Sequence, residues 1–147
     1  MTRDWAKTID VLLVEDNPGD VRLMLEALKE SKMRNNIFIV EDGVEAMDFL
    51  LRKGKWVNSP RPDLILLDLN LPRKSGREVL AEIKSDVSLK RIPVVVVTVS
   101  RHEEDILKAY DLHANCFVTK PIDFNQFVKI TKSIEEFWLE IVKLPPK

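Results

Sequence analysis

Several things that would each mark a class of protein are scarce or missing in this chain. Cys116 is the one cysteine among 147 residues, so an intrachain disulfide is excluded and a reducing compartment suits the chain better than an oxidising one. There are four glycines, and no GxGxxG or GxxxxGK[ST] pattern exists to cradle a nucleotide. Neither sign of charge dominates: 23 Lys and Arg stand against 24 Asp and Glu, a net charge of −1. That balance gives no general attraction to nucleic acid or anionic lipid, which disfavours a DNA-coating protein. No apolar run approaches the ~18 residues that span a bilayer. The first ten residues carry Arg3, Asp4 and Lys7 where a signal peptide would be apolar. The expectation is a cytoplasmic protein with no direct nucleic-acid or membrane partner.

What is present fits one folded domain over residues 1–147. Apolar residues make up 45% and charged residues 32%, far from the composition that keeps a chain disordered. Five short runs, at residues 11–14, 37–40, 64–67, 94–97 and 116–118, are mostly β-branched or Leu without polar alternation, the pattern of strands buried on both faces. Helical spacing links them: Val21, Met24, Leu25 and Leu28; Ala46, Met47, Leu50 and Leu51; Val79, Leu80 and Ile83; Ile106, Leu107 and Tyr110. Such alternation implies right-handed crossovers and a parallel sheet with helices on both faces. The expected fold is α/β, a doubly wound five-stranded parallel sheet. Asp16-Asn17-Pro18 supplies a cap and an early proline for the first helix, and Asp123 with Gln126 a capping box for the last. Residues 54–62, with Trp56, Pro60 and Pro62, read as a loop, and Gly43 as a turn.

Sites in open α/β sheets form outside the carboxyl ends of the strands. There the chain has Glu15-Asp16 after the first strand, Asp68 after the third, Thr98 after the fourth and Lys120-Pro121 by the fifth. Clustered carboxylates raise one another's pKa unless a cation intervenes. A hard divalent ion such as Mg²⁺ resolves the conflict, taking Asp16 and Asp68 as direct ligands and Glu15 directly or through water; Mn²⁺ could substitute. With Lys120 holding the anionic oxygens of a phosphoryl donor, one Asp oxygen can attack phosphorus in line and leave an acyl phosphate. Thr98 could then donate a hydrogen bond to the new phosphoryl oxygen and move its loop. Taken singly the residues have plainer readings: Asp16 as a helix cap, Glu15 as a solvated acid, Cys116 and Phe117 as core, His102 and His113 as surface residues, Arg73-Lys74 as a solvated loop or a contact for an acidic partner.

The joint placement, with Asp68 to Thr98 spanning 30 residues and Thr98 to Lys120 spanning 22, resembles the receiver domain of two-component response regulators over residues 9 to 130. That resemblance implies a flavodoxin-like fold and phosphoryl transfer from a sensor histidine kinase to Asp68. It also implies that the carbonyl of Asn70 completes the metal shell, that the Lys120-Pro121 bond is cis, and that Phe117 is an aromatic switch. Phe137-Trp138-Leu139-Glu140 and Leu144-Pro145, with Trp56 and Arg61-Pro62-Asp63, resemble a narrower group, the stand-alone regulators of bacterial phytochrome kinases. A phytochrome is therefore a candidate partner. Val99 stands where the family often has a smaller residue, a β-branched side chain that could restrict access to the phosphate.

The last helix reads as extended, and with the Pro145-Pro146-Lys147 tail that ends it covers residues 123 to 147. Phe127, Ile130, Ile134, Phe137, Ile141 and Leu144 form a stripe of period 3.5. Over residues 123 to 144 the helix would reach about 33 Å, longer than docking on a sheet needs. A homodimer through this helix is the economical expectation, with folding back on its own domain as the alternative. No residues are left over for an output domain, so the signal is expected to leave by protein contact around Tyr110, Phe117 and the Phe127 helix. Two other functions compete. One is a degenerate receiver that binds constitutively. The other is an aspartate-nucleophile phosphatase, which needs an acid two residues after Asp68, where this chain has Asn70. At most, slow self-phosphorylation and autodephosphorylation are expected of Asp68, Thr98 and Lys120, not turnover.

Overall fold

Val94, Val95, Val96 and Val97 are all buried, and so unbroken an apolar run is stable only in the middle of a sheet covered on both sides. The computed structural model describes residues 8–30, 34–98, 114 and 116–134 and places that run in β4 (Val94–Thr98), next to β3 (Leu64–Asp68). The other strands are β1 (Thr8–Val14), β2 (Arg34–Val40) and β5 (Cys116–Thr119), in the order β2-β1-β3-β4-β5. Every pairing is parallel, with Val14 opposite both Val40 and Leu67, Asp68 opposite Val97, and Thr98 opposite Thr119. The helices described are α1 (Pro18–Leu28), α2 (Gly43–Leu50), α3 (Gly76–Ser85) and α4 (Phe124–Ile134).

Alternate residues of the inner strands feed two separate cores, as the period of two in a strand requires. Leu12, Val14, Ile65 and Leu67 pack with Phe49, Leu80 and Ile83 on the α2 and α3 side. Val11, Leu13, Leu64 and Leu66 pack with Met24, Leu28, Phe127 and Ile134 on the α1 and α4 side. The chain leaves β1 toward β2 and returns toward β3, so the order of strands reverses between β1 and β3. A crevice opens above their carboxyl ends.

The sheet matches the expectation, with differences at its margins. β2 and β5 are edge strands and are only partly buried; Ile39 is 37% exposed. Strands β1 and β2 each begin three residues before their apolar runs. The first helix is capped by Asn17, whose side chain accepts from the Asp20 N–H at 3.0 Å, so Asp16 is not the cap. Asp123 does cap α4, accepting from the Gln126 N–H at 2.9 Å. Gly43 is not a turn residue but the first residue of α2, where a Cβ would lie 2.0 Å from the Lys74 carbonyl oxygen. Its role is close approach of two backbones.

The 54–62 segment contains a 3-10 turn, Gly54–Trp56, and is fastened down. Trp56 meets Phe49 edge-on at 4.9 Å, Ser59 Oγ donates to the Phe49 carbonyl at 2.8 Å, and Arg61 donates to the Ser88 carbonyl at 2.8 Å. Of the apolar stripe, Phe127 and Ile134 are buried and Ile130 is half-buried. Its remainder from Phe137 on, with Val99, His102, Ile106, Leu107, Tyr110 and His113, lies outside the described residues.

Candidate functional site

Asp68 and Thr98 are the last residues of β3 and β4, and Lys120 follows β5 by one residue. Glu15 and Asp16 follow β1 directly. Parallel pairing puts all these positions on one rim. The backbone N–H of Leu69 donates to the Val97 carbonyl at 3.0 Å, and that of Lys120 to the Thr98 carbonyl at 2.7 Å. The Lys120-Pro121 peptide bond is cis, as the family resemblance implies.

The Lys120 ammonium sits among three carboxylates: Glu15 Oε1 at 2.7 Å, Asp20 Oδ2 at 2.9 Å and Asp68 Oδ2 at 3.1 Å. The other Asp68 oxygen, Oδ1, accepts from the Asn70 N–H at 2.8 Å. The Asn70 side-chain amide donates to Thr98 Oγ1 at 2.9 Å. Glu15, Asp68, Thr98 and Lys120 are buried, while Asp16 and Asn70 are exposed. Burying this many charges is expensive unless they pair. Burial pushes the Glu15 carboxyl up to about 7, against the opposing pull of Lys120, and Asp68 beside it adds to the rise. For Lys120, burial acts to lower the pKa, but Glu15, Asp20 and Asp68 outweigh it and hold the ammonium above its ordinary range.

Glu15, Asp16 and Asp68 each offer an oxygen, and these oxygens lie within 4.8 Å of one another. Glu15 Oε1 is wholly buried and, apart from its ion pair with Lys120, has no well-directed hydrogen bond. Hard oxygen donors, excess negative charge and an unsatisfied lone pair fit a hard divalent cation.

The structure thus brings together Glu15, Asp16, Asp68, Asn70, Thr98 and Lys120, every residue singled out from the sequence for this rim. Asn70 joins through its N–H and side-chain amide. Two further residues belong here. Asp20 contacts Lys120 from the first turn of α1, and the available signal was an acid one helical turn beyond Asp16. Gly76 begins α3, and a Cβ there would fall 2.1 Å from the Asp68 carbonyl oxygen, so the 69–75 loop closes tightly beneath Asp68. Arg73 and Lys74, on that loop, pair within the chain with Asp42 and Glu82. Burial pushes the Cys116 thiol up, which suits an inert core cysteine. Phe117 is half-buried against the α2 and α3 core. Among the described residues, no helix is long and apolar enough to cross a membrane.

Comparison with known proteins agrees with this geometry. The profile of the response regulator receiver domain matches residues 11–132. Response regulator Rcp1 of Synechocystis sp. is 54% identical over 135 residues, covering 92% of each chain. The structure of the phosphorylated cyanobacterial phytochrome response regulator RcpA superposes with a TM-score of 0.85 at 54% identity, covering 95% of this chain and all of that one. The Mn²⁺-bound form of Rcp1 gives a TM-score of 0.83 at 53% identity, covering 94% of this chain and 99% of that one. Matched along most of its length in both sequence and shape, the chain belongs to the response regulator receiver domain family.

Proposed function

We propose that this chain is a stand-alone, cytoplasmic response regulator whose Asp68 accepts a phosphoryl group from a sensor histidine kinase, and that it signals by protein contact. The observation that carries this reading is the buried Asp68 carboxylate, held between the Asn70 N–H and the Lys120 ammonium with two more acids alongside. An Asp68 oxygen attacks the phosphorus of a phosphohistidine. The new O–P bond forms as the N–P bond breaks, and its electron pair stays on the imidazole nitrogen, which takes up a proton. Lys120 steadies the phosphoryl oxygens. Thr98, whose hydroxyl now accepts from Asn70, turns to donate to one of them. Mg²⁺, or Mn²⁺ in its place, would be held by Glu15, Asp16, Asp68 and the Asn70 carbonyl, and when bound it neutralises the clustered acids and the phosphoryl group.

Asn70 carries an amide where a phosphatase acid would stand, so the acyl phosphate is expected to persist and the protein to work as a timer, not a turnover enzyme. Likeness to a phytochrome response regulator favours a phytochrome-type kinase as donor. For the homodimer, the burial of Phe127 and Ile134 accounts for the start of the apolar stripe, and the apolar residues off that stripe, Val128, Trp138, Leu139 and Val142, are the part proposed to meet a second copy.

Incubation with acetyl phosphate, with and without Mg²⁺, while following intact mass and oligomer size, tests the whole reading. Wild type should gain one phosphate only with Mg²⁺, Asp68→Asn should gain none, and a dimer should be seen at tens of micromolar. Label persisting in Asp68→Asn moves the acceptor elsewhere. Failure of both acetyl phosphate and beryllofluoride to bind replaces the switch with a constitutive binding module, and a monomer with and without the phosphate mimic removes the dimer.

A further inference from the structure

An ammonium has three N–H donors, and those of Lys120 face three different carboxylates: Glu15 at 2.7 Å, Asp20 at 2.9 Å and Asp68 at 3.1 Å. Two of these partners have other duties. Glu15 and Asp68 belong, with Asp16, to the oxygen cluster gathered within 4.8 Å, and Asp20 does not. Once Asp68 becomes an acyl phosphate, its carboxylate charge is gone, and Glu15 is shared with whatever cation the cluster holds. The Asp20 contact alone is untouched by either event.

We propose that Asp20 is a positioning residue, a carboxylate reserved for Lys120 that keeps the ammonium aimed at Asp68 while Glu15 and Asp68 are engaged elsewhere. This rests on the reading of Asp68 as phosphoacceptor. The local structure equips Asp20 for the task. It lies in the first turn of α1, where its own N–H is fixed to the Asn17 side chain at 3.0 Å, and α1 packs with α4, which follows the Lys120-Pro121 bend. Its side chain is 24% exposed while those of Glu15 and Asp68 are nearly sealed. It therefore grips the ammonium from the solvent side and opposes withdrawal of Lys120 toward Glu15, the more deeply buried of the two. Lys120 without this anchor keeps its charge but loses its fixed direction, which slows the transfer step without weakening the binding of donor or metal.

The test measures labelling by acetyl phosphate over a range of donor and Mg²⁺ concentrations for wild type, Asp20→Asn and Asp20→Glu. For Asp20→Asn the maximal rate should fall about three- to fivefold, as loss of a partly exposed ion pair allows. The half-saturating concentrations should stay within about twofold, and Asp20→Glu should recover most of the rate. A second readout needs no labelling. In metal-free protein, Asp20→Asn should lower the urea midpoint when Lys120 is present and raise it in a Lys120→Gln background, where the remaining acids only repel one another. A wild-type maximal rate in Asp20→Asn, an Asp20→Glu as slow as Asp20→Asn, or midpoint shifts of the same sign in both backgrounds would each overturn the proposal. Absence of labelling in wild type would instead sink the Asp68 reading, while the two midpoints still report on the Asp20 to Lys120 pairing.

Discussion

Replacing Gly76 by alanine sets two effects against each other, and their sizes decide the outcome. Alanine is the better helix former by about 1 kcal/mol in a helix interior, and less at an end, so propensity alone predicts no loss at the first residue of α3. Contact predicts the reverse. The added methyl would lie 2.1 Å from the Asp68 carbonyl oxygen, 2.5 Å from Leu69 Cα and 2.9 Å from the Asp68 carbonyl carbon, all backbone atoms with no flexible end to swing aside. Restoring an ordinary contact of 3.4 Å demands a backbone movement of more than about 1 Å. Overpacking of this kind costs about 1–3 kcal/mol, so Gly76→Ala should be destabilised by about 2 kcal/mol net in a urea titration. The displaced backbone is that of Asp68 itself. A misplacement of about 1 Å at a reacting group can lower the rate by as much as about 100-fold, so acetyl phosphate labelling should slow well beyond what partial unfolding explains. Gly19→Ala is the control, because its methyl would meet only the Asn17 side chain, at 3.3 Å. A Gly76→Ala protein as stable as wild type and labelled at the same rate would refute the tight packing of this loop against Asp68.

Two further outcomes follow from burial. Folding raises the Glu15 pKa from 4.5 to about 7, chiefly by desolvation, so the native state holds that proton more tightly than the unfolded chain. Its contribution to stability is therefore greatest below about pH 4.5, declines up to about pH 7 and is level above. Glu15→Gln cannot titrate, and its urea midpoint in chelator should gain on that of wild type between pH 5 and pH 8; a constant difference across that range contradicts the account. Phe127 is 1% exposed within the α1 and α4 core. Phe127→Ala should cost about 3–5 kcal/mol in thermal or urea unfolding, and a loss below about 1 kcal/mol would mean that α4 does not dock as described.

The parts of this molecule legible in its sequence are those where one environment acts on consecutive residues. Strands β3 and β4 bury both faces, so Leu64 to Leu67 and Val94 to Val97 announce themselves as unbroken apolar runs. At the edge that signal fades: Arg34, Asn35 and Asn36 are strand residues in β2, but one side of that strand has no neighbour and tolerates polar groups. The rim was legible for a related reason, since strand ends can be located once strands are. Asp20 and Gly76 are harder to read because their roles come from tertiary approach, of a helix start to Lys120 across the sheet in one case and of a helix start to the strand end beneath it in the other. Gly43 was misassigned on the same ground: its constraint is the Lys74 backbone, 31 residues away.

Adjacent strands in a sheet stand about 4.8 Å apart, and Asp68 ends β3 while Lys120 directly follows β5, two intervals or about 10 Å away. The lysine and aspartate side chains together bridge that width and bring the ammonium nitrogen to 3.1 Å from the carboxylate. Slackening between β3 and β4, or between β4 and β5, widens the distance the two side chains must cover, because the hydrogen bonds from Leu69 to Val97 and from Lys120 to Thr98 tie the three strands in series. Lys120 thereby works as a feeler gauge for the sheet's far edge: a loosened edge strand would draw the ammonium away from Asp68 without altering a single residue of the rim.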